Sequence, residues 1–470
     1  METMQFAENE VRLLENSMDA LGLRTHLADH ARQSLDIQTY IFHDGLTTRL
    51  LIQSLLEAAD RGVRIRMLLD DMTSYGQEAR ISALACHANI EVRLFNPLRS
   101  GRGFNLTRIL FFLNDVRQLH RRMHNKLWLA DSQLAITGGR NLGDEYYDAS
   151  SETNFSDIDL LIRGPVVAQM QTSFDSYWNS SLAVPIAKFR PFAPNDEEHK
   201  RWRLRVRDRI KSAMREREGY VTSLQRWQRT GRGQHLLNEM ISVDAGLLVD
   251  SPEKMAQVLP WPIEQQAFSP LIERVRAVRR ELILVGAYFV PGELGMGLFK
   301  ELIDRGVRVR VLTNSLAATD LPLVHGGYTL YRKALLEMGV ELYEMRDRQN
   351  RSYRWRWPWQ GKVSLHSKAM IFDDQSAFVG SFNLDPRSVF WNTEIGVLMN
   401  GRTVAGQLKQ LVELAMSANI SYRLGLDKKQ QLRWFYQTKK GLEVLHRERA
   451  SWWRRCLVWL SVKFAPEDWL

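Results

Sequence analysis

Two stretches of the chain carry a histidine and a lysine in one short pattern, His-x-Lys, followed after four residues by an aspartate. The two copies are His124, Lys126 and Asp131, and His366, Lys368 and Asp373. A lysine brings positive charge to the non-bridging oxygens of a phosphate ester, and a histidine can act as nucleophile or as general acid. Two facing copies would place one histidine on each side of phosphorus, so that one attacks while the other protonates the leaving alcohol.

Both copies are followed by a second match at the same distance. Gly138, Gly139 and Asn141 recur as Gly380, Ser381 and Asn383. The amides of Asn141 and Asn383 are candidate donors to the phosphate. A single His-x-Lys is more often part of a solvated strand edge, but the repetition with matching sequels argues for a duplicated functional unit.

Local patterns around each copy predict the elements that position it. Alternation along a strand would put His124 and Lys126 on one face, and the aspartates would begin a turn to a second strand. Strand, helix and strand patterns over 35–42, 48–59 and 63–69 recur over 282–290, 296–303 and 307–312. Residues 13–33 read as a further amphipathic helix.

The alternation of strands and helices predicts an α/β fold of two similar domains, each a mixed sheet flanked by helices. They would form a pseudo-dimer with the motif strands and the active site at the interface. We assign residues 1–185 to the first domain, 186–262 to a basic insertion or linker, 263–425 to the second domain and 426–470 to a basic, Trp-rich amphipathic tail. Within 200–217 the dense arginines favour a solvated helix face.

Composition limits the partners and the compartment. The 470 residues carry a net charge of +10, which favours an anionic partner, either nucleic acid or an anionic membrane surface. Two cysteines leave no disulfide framework and no cysteine-based metal site. The first eleven residues lack the pattern of a signal peptide, and no apolar run reaches the ~20 residues that span a bilayer.

Two Trp-rich stretches bear on the choice between membrane and nucleic acid. Tyr353–Trp359 alternates Trp with Arg, a pattern suited to a lipid headgroup zone but also to stacking on bases. Residues 452–463 interleave Trp, Leu and basic residues as an amphipathic helix that could lie in a membrane interface. The alternative for the second stretch is a terminal helix docked on the body of the protein.

The paired motifs and their Gly-[Gly/Ser]-x-Asn sequels resemble the phospholipase D superfamily. More narrowly, the chain is similar to bacterial cardiolipin synthases of the C type. The residues that carry this second resemblance are Arg121-Arg-Met-His-Asn-Lys126, Gly138-Gly-Arg-Asn141, the run from Thr313 to Ala318, and the run from Gly380 to Ser388. Asp250-Ser-Pro-Glu-Lys254 resembles another short motif of that group.

The resemblance implies roles for further residues. Each motif histidine would be held by an acid from its own half: His366 by Glu394, and His124 by Asp157, with Asp159 as the alternative. The motif aspartates Asp131 and Asp373 would brace the fold without touching substrate. Pocket-lining positions complete the candidate site: Gly139, Ser381, Arg387, Ser388 and, as an acceptor or headgroup contact, His325, which could equally be a satisfied loop histidine.

The implied activity is phosphatidyl transfer through a phospho-histidine, with His124 as nucleophile and His366 as acid and base. Phosphatidylglycerol would be the acceptor, and phosphatidylethanolamine or phosphatidylglycerol the donor. No cofactor, metal or nucleic acid is expected, and the need for an accessory protein stays open. The expected location is the surface of the bacterial inner membrane, as a peripheral protein. The alternatives are a phosphodiesterase, either a lipid hydrolase or a metal-independent nuclease, and a catalytically idle membrane-binding protein.

Overall fold

The computed structural model describes residues 4–74, 78–97, 121–189, 196–255, 266–347 and 361–464. The strands of the first half are β1 (Ala7–Leu14), β2 (Ser34–Thr39), β3 (Arg64–Asp70), β4 (Ile90–Phe95), β5 (Leu127–Ala130), β6 (Leu134–Gly138), β7 (Thr153–Ser156), β8 (Asp159–Arg163) and β9 (Ala183–Pro185). The later strands are β10 (Ile241–Val249), β11 (Glu281–Val285), β12 (Arg308–Asn314), β13 (Glu341–Met345), β14 (Lys362–Leu365), β15 (Ala369–Phe372), β16 (Ser376–Gly380), β17 (Ile395–Asn400), β18 (Ser421–Leu426), β19 (Leu432–Thr438) and β20 (Gly441–Leu445).

Helices flank these strands. They are α1 (Ser17–His30), α2 (Leu46–Asp60), α3 (Asp71–Ser74), α4 (Glu78–Leu84), α5 (Pro165–Asn179), α6 (Asp196–Glu216), α7 (Glu218–Arg229), α8 (Arg232–Asn238), α9 (Ser269–Arg276), α10 (Gly292–Asp304), α11 (Pro322–Met338), α12 (Pro386–Phe390), α13 (Arg402–Met416) and α14 (Trp452–Phe464).

Eighteen strands form one continuous mixed sheet in which the two halves are related by repetition. The first half runs β9-β4-β3-β2-β5-β6-β8-β1, and the second runs β10-β17-β16-β15-β11-β12-β13-β18, extended by β19 and β20. The halves join through the antiparallel pair β1 and β10. This is the predicted α/β pseudo-dimer, and the sheet is shared across its centre.

A hydrophobic cluster spans both halves, so neither buries its inner face alone. It includes Leu129 and Ile162 from the first half and Val285, Ile371 and Val397 from the second, all at most 3% exposed. Apolar side chains in the central strands therefore contribute to the association of the halves as well as to each fold. The segments that carry the two His-x-Lys motifs lead into β5 and β15, whose side chains belong to this shared core.

Several sequence-based boundaries are wrong. Residues 241–249, assigned to the insertion, form β10 at the centre of the sheet, so the second half begins inside that segment. Residues 13 and 14 end β1, and the predicted helix starts only at Ser17, where Asn16 accepts hydrogen bonds from the amides of Met18 and Asp19. Part of the predicted tail, residues 432–445, forms the strand pair β19 and β20.

The rest of the insertion is helical and covers the first half. The side chains of Tyr220 and Trp227 on α7 are buried in the core of that half, and Trp227 Nε1 donates to Asp19 Oδ1 at 2.6 Å. Most side chains of α6 are exposed, as its arginine density predicts.

The described helices include none that is long and apolar enough to cross a membrane. Helix α14 packs along α11, yet Trp452 is 76% exposed and Trp459 58%. Both interpretations of this stretch therefore describe part of it, since the helix is docked and also presents large aromatic side chains to solvent. The other Trp-rich stretch, 353–359, lies outside the described residues.

Candidate active site

His366 is placed against Asp157 by a short parallel strand pair that links the halves. Strand β14 pairs with β7 so that Leu365 lies opposite Ser156, and the chain then continues to His366 on one side and Asp157 on the other. The His366 amide donates to the Ser156 carbonyl at 2.8 Å. This register brings His366 Nδ1 to 2.7 Å from Asp157 Oδ2.

The same arrangement recurs for the other histidine. A parallel bridge joins Met123 to Thr393, and the His124 amide donates to the Thr393 carbonyl at 2.9 Å. His124 Nδ1 then lies 2.8 Å from Glu394 Oε2. Each ring therefore turns Nδ1 to a buried carboxylate, which leaves Nε2 for chemistry.

Each acid holds the histidine of the opposite half, so the expected pairing within each half is wrong. The same four side chains do form two histidine and acid pairs, but each pair joins residues from different halves of the chain. Asp159, the alternative to Asp157, instead binds the guanidinium of Arg24 at 2.8 Å. The site is complete only when both halves are together.

The motif histidines and lysines lie in extended segments that lead into β5 and β15, not within those strands as predicted. Here their backbone groups are free to pair across the interface, which the ladder of a central strand would prevent. Lys126 Nζ donates to the carbonyl of His124 at 2.6 Å, and Lys368 Nζ donates to that of His366.

Burial lowers the pKa of both lysines, to about 7 for Lys126 and about 8 for Lys368, although nearby carboxylates oppose the shift. Both side chains are at most 3% exposed. A phosphate placed between them would replace the missing solvation and favour the charged form.

The two histidine and acid pairs differ in electrostatics. Burial, followed by Lys126 and Lys368, holds the pKa of His124 well below its usual value. Burial also raises the pKa of its partner Glu394 to about 7. Burial alone would raise the pKa of Asp157, but His366 and Lys368 outweigh it and lower that pKa. His366 thus faces an ionised carboxylate, and its pKa is lowered by burial and Lys368 against the opposing effect of Asp157.

Small side chains at two predicted substrate-binding positions make room for the acids. A Cβ at Gly139 would collide with the carboxylate of Asp157. At the matching position Ser381 donates through Oγ to Glu394 Oε2 and accepts from the amide of Ile395. Both positions contact an acid of their own half, and direct contact with substrate stays a prediction.

Sequence reasoning found Ser388 but missed how it and a buried ion pair support Glu394. Ser388 Oγ donates to Glu394 Oε1 at 2.7 Å, and the Glu394 amide donates to Asp250 Oδ2 at 3.1 Å. Lys254 Nζ lies 2.9 Å from the same Asp250 oxygen. The sequence feature that could have revealed this support is the Asp250–Lys254 motif, whose aspartate and lysine are one helical turn apart.

The motif aspartates brace the fold at matching places. Asp131 accepts hydrogen bonds from three consecutive backbone amides, 32–34, and Asp373 accepts from amides 279–281. Both have left-handed backbone conformations, with φ of 52° and 54°. Each carboxylate ties the turn after its strand to the start of the neighbouring strand, as expected from the resemblance.

The two asparagines differ in their contacts. Asn141 Nδ2 donates to the Tyr146 hydroxyl at 2.8 Å, and Asn141 Oδ1 accepts from the amide of Ile41 at 3.1 Å. Tyr146 packs edge-on against the ring of His366. Asn383 Oδ1 is buried and has no hydrogen-bond partner among the described residues, which leaves that amide able to bind a ligand.

Two further charged residues, Arg387 and Asp320, lie near the motif histidines. Arg387 lies over the ring of Tyr288, and its charge contributes to the low pKa of His124 after burial and the motif residues. Tyr288 donates to Asp320 Oδ2 at 2.8 Å. Asp320 is exposed yet close enough to oppose the lowering of the His366 pKa. Sequence reasoning did not select Asp320.

His325 belongs to a buried ion cluster under α14. Its Nε2 lies 3.1 Å from Glu448 Oε1, and Arg332 binds the same carboxylate at 2.8 Å. These contacts fit the satisfied histidine that was the alternative for this residue, and they link α11 to the segment preceding α14. Within the described ranges, no group of three or more His, Cys, Asp or Glu side chains could hold a metal ion.

Comparison with known proteins agrees with this geometry. The family model described as "Cardiolipin synthase, PLD-like domain" matches residues 25–178 and 271–414. Cardiolipin synthase C of Escherichia coli (strain K12) is 34% identical over 97% of this chain and 95% of its own length. An uncharacterized protein of Helicobacter pylori (strain ATCC 700392 / 26695) is 35% identical over 84% of this chain and 77% of its own.

A solved structure extends the likeness to the fold of the whole chain. Phosphatidylserine synthase of Haemophilus influenzae Rd KW20 superposes with a TM-score of 0.61 at 13% identity, covering 98% of this chain and 95% of that one. The assignment of the chain to a family rests on three findings. They are the two matched domain regions, the near-complete coverage of a relative and the two crossed pairs of histidine and acid. The chain belongs to the phospholipase D superfamily, in the family of cardiolipin synthases with PLD-like domains.

Proposed function

We propose that this protein synthesises cardiolipin by moving a phosphatidyl group from a donor phospholipid to the free glycerol hydroxyl of phosphatidylglycerol. The observation that carries the proposal is the pair of crossed contacts, His124 with Glu394 and His366 with Asp157. They orient two imidazoles at one buried site that also holds two lysines. The activity named for the Escherichia coli relative supports the same conclusion.

The reaction takes two steps through a phosphatidyl-histidine. His124 Nε2 attacks phosphorus, the bond from phosphorus to the donor alcohol breaks, and His366 gives its proton to the departing oxygen. His366 then takes the proton of the acceptor hydroxyl, whose oxygen attacks phosphorus and releases His124. Lys126 and Lys368 stabilise the charge on the non-bridging oxygens in both steps.

The electrostatic difference between the pairs supports this division of roles. A nucleophile must be unprotonated, and the pKa of His124 is held well below its usual value by burial and the two lysines. A general acid must hold its proton: burial and Lys368 lower the pKa of His366 too, but Asp157 opposes that lowering and favours the protonated ring. The reverse assignment would ask His124, whose pKa is lowered by burial, by both motif lysines and by Arg387, to supply the proton.

The donor is phosphatidylethanolamine or phosphatidylglycerol, and Asp320 favours the first. This exposed carboxylate lies close enough to Lys368 to oppose the effect of burial on the pKa of that lysine. It can form a charge-assisted hydrogen bond with the ammonium of an ethanolamine headgroup, whereas a glycerol headgroup offers only a weaker, neutral hydrogen bond. With both donors present, Asp320→Asn should lower ethanolamine release relative to glycerol release, and an unchanged ratio would remove Asp320 from headgroup recognition.

We propose that the protein works as a peripheral protein on the surface of the bacterial inner membrane. Arg454 of α14 donates to the carbonyls of Leu316 and Thr319, in the loop that ends at Asp320. The exposed side chains of Leu321 and Leu323 follow directly. The Trp side chains of α14 and the rim of the site therefore lie on adjoining surfaces, so interfacial binding would bring lipid headgroups to the histidines.

The test is product analysis by mass spectrometry with purified protein and liposomes of phosphatidylglycerol and phosphatidylethanolamine. Cardiolipin from the wild type and none from His124→Ala is the expected result, and the released alcohol identifies the donor. Phosphatidic acid without cardiolipin would contradict the proposal, because water would then be the acceptor and the protein a hydrolase. No product from either lipid, with cleavage of DNA instead, would point to a nuclease.

A further inference from the structure

A largely apolar cavity of about 540 Å³ lies beside the catalytic residues, between α9, α10 and α12. Its walls include Leu271, Ile272, Leu298, Phe299, Val389 and Phe390. Ligand pockets in proteins have volumes of roughly 300–1,000 Å³ and mainly apolar walls. The cavity is thus large enough for a flexible hydrocarbon, and the mechanism above makes no use of it.

One chain segment forms the wall between this cavity and the active site. Ser381 contacts Glu394, whereas the alternate residues Phe382 and Leu384 line the cavity. In α12, Ser388 binds Glu394 while Val389 faces the cavity. Opposite sides of residues 381–390 therefore contact the catalytic acid and the apolar space.

One polar residue of the cavity wall, Asp385, also belongs to the segment that contacts the catalytic acid. Asp385 is 2% exposed and caps α12 by accepting from the Ser388 amide at 2.8 Å. Its other oxygen has no hydrogen-bond partner among the described residues, and Arg387 is 3.7 Å away. Asp385 is among the carboxylates that oppose the effect of burial on the pKa of Lys368. A buried carboxylate in the cavity wall is thus also close enough to Lys368, the lysine expected to bind phosphate, to influence its pKa.

We propose that this cavity takes an acyl chain of the phospholipid whose phosphate is bound between His124 and His366. The inference rests on the proposed function, since it assumes a glycerophospholipid at the motif lysines. In such a lipid, hydrocarbon chains start a few bonds from the phosphate, which matches an apolar space that begins one segment away from the catalytic groups. Burial of the chain would offset the cost of drawing the lipid out of the bilayer.

The test fills the cavity far from the catalytic residues. Ile272→Trp and Leu298→Trp change side chains on α9 and α10, and Leu204→Trp on the exposed surface of α6 is the matched control. The assay offers dioctanoyl- and dioleoyl-phosphatidylglycerol together in detergent micelles and measures the acyl composition of the cardiolipin formed.

We expect both cavity variants to lower the ratio of long-chain to short-chain product about tenfold, the scale on which hydrophobic pockets discriminate chain length. The kcat for the short-chain lipid and the control's product ratio should match the wild type. An unchanged product ratio in folded cavity variants, checked by thermal unfolding, would overturn the proposal.

A second measurement needs no substitution and covers the case in which the variants do not fold. Phosphatidylglycerol with a photoreactive diazirine at the end of one acyl chain is bound to the wild-type protein, irradiated, and the modified peptides are sequenced. Label within residues 268–299 supports the cavity, and label confined to α14 contradicts it. Failure of the proposed function is distinct, because the wild type would then make no cardiolipin of either chain length.

Discussion

Asp157 Oδ2 lies 2.7 Å from Nδ1 of His366, although the two residues belong to opposite halves of the chain. The matching contact, His124 with Glu394, crosses in the other direction. Each imidazole is therefore oriented only while the halves are associated. Both halves therefore contribute to each of the two histidine and acid pairs.

The crossed pairing predicts which step each acid supports. A phosphatidyl ester of p-nitrophenol has a leaving group that departs without a proton, so only the nucleophile is needed to release it. Glu394→Gln and His124→Ala should reduce the first burst of nitrophenol about 10²-fold or more, whereas Asp157→Asn and His366→Ala should retain it. Stopped-flow absorbance measures the burst, and a loss with Asp157→Asn but not with Glu394→Gln would mean that each acid serves its own half.

The lysine pKa values predict an alkaline loss of activity. Lys126 and Lys368 lose their protons as pH rises through about 7 and about 8, so kcat/KM should fall across this range. Bound phosphate favours the charged lysines, and the fall in kcat should therefore lie at higher pH than the fall in kcat/KM. Lys126→Arg keeps its charge and should move the alkaline fall upward. Identical pH profiles for the wild type and Lys126→Arg would show that Lys126 does not control it.

The motif aspartates should matter for stability more than for chemistry. Asp131→Ala removes the acceptor of three backbone hydrogen bonds and should lower the free energy of unfolding by about 1–3 kcal/mol. Asp131→Asn keeps an oxygen and tolerates the φ of 52°, so its loss should be smaller. Urea unfolding and kcat per folded molecule separate the effects, and a selective loss of kcat in a stable Asp131→Ala protein would place this residue in the chemistry.

The exposed tryptophans of α14 should control membrane binding without changing the active site. Replacing Trp452, Trp453 and Trp459 together by Ala should weaken sedimentation with phosphatidylglycerol vesicles at least about tenfold. Activity on short-chain lipid in detergent should be retained. The control replaces the exposed Leu442 and Val444 of β20 by Ala, and an equal loss of binding there would mean that general surface hydrophobicity is responsible.

Much of the site could be predicted from sequence because it repeats. The two motif histidines and two motif lysines are identifiable from residue type and spacing, whereas both acids and the bracing aspartates were expected from the resemblance to the phospholipase D superfamily. The pairing of each histidine with the acid of the opposite half could not be predicted, because it depends on the pairing of β7 with β14 and on the bridge from Met123 to Thr393. Short parallel contacts between distant segments leave no periodic signal.

The domain boundaries failed for a related reason. Strand β10 lies after a long helical segment of basic character, and its weakly alternating pattern does not reveal that it pairs with β1 and β17. Asp320 and the Asp250–Lys254 pair reach the site only through folding, because they lie far in sequence from both motifs. The α/β class, by contrast, follows from local patterns and was predicted correctly.

The central claim, transfer through His124 at a site built by both halves, is tested most directly by trapping the covalent intermediate. Wild-type protein is mixed with the p-nitrophenyl ester, quenched in alkali during the burst and digested, and the peptides are sequenced by mass spectrometry. The account predicts a phosphorylated or phosphatidylated histidine in the peptide containing His124. This label should be absent from His124→Ala and greatly reduced in Glu394→Gln. Label on the peptide containing His366, and none on His124, would contradict it.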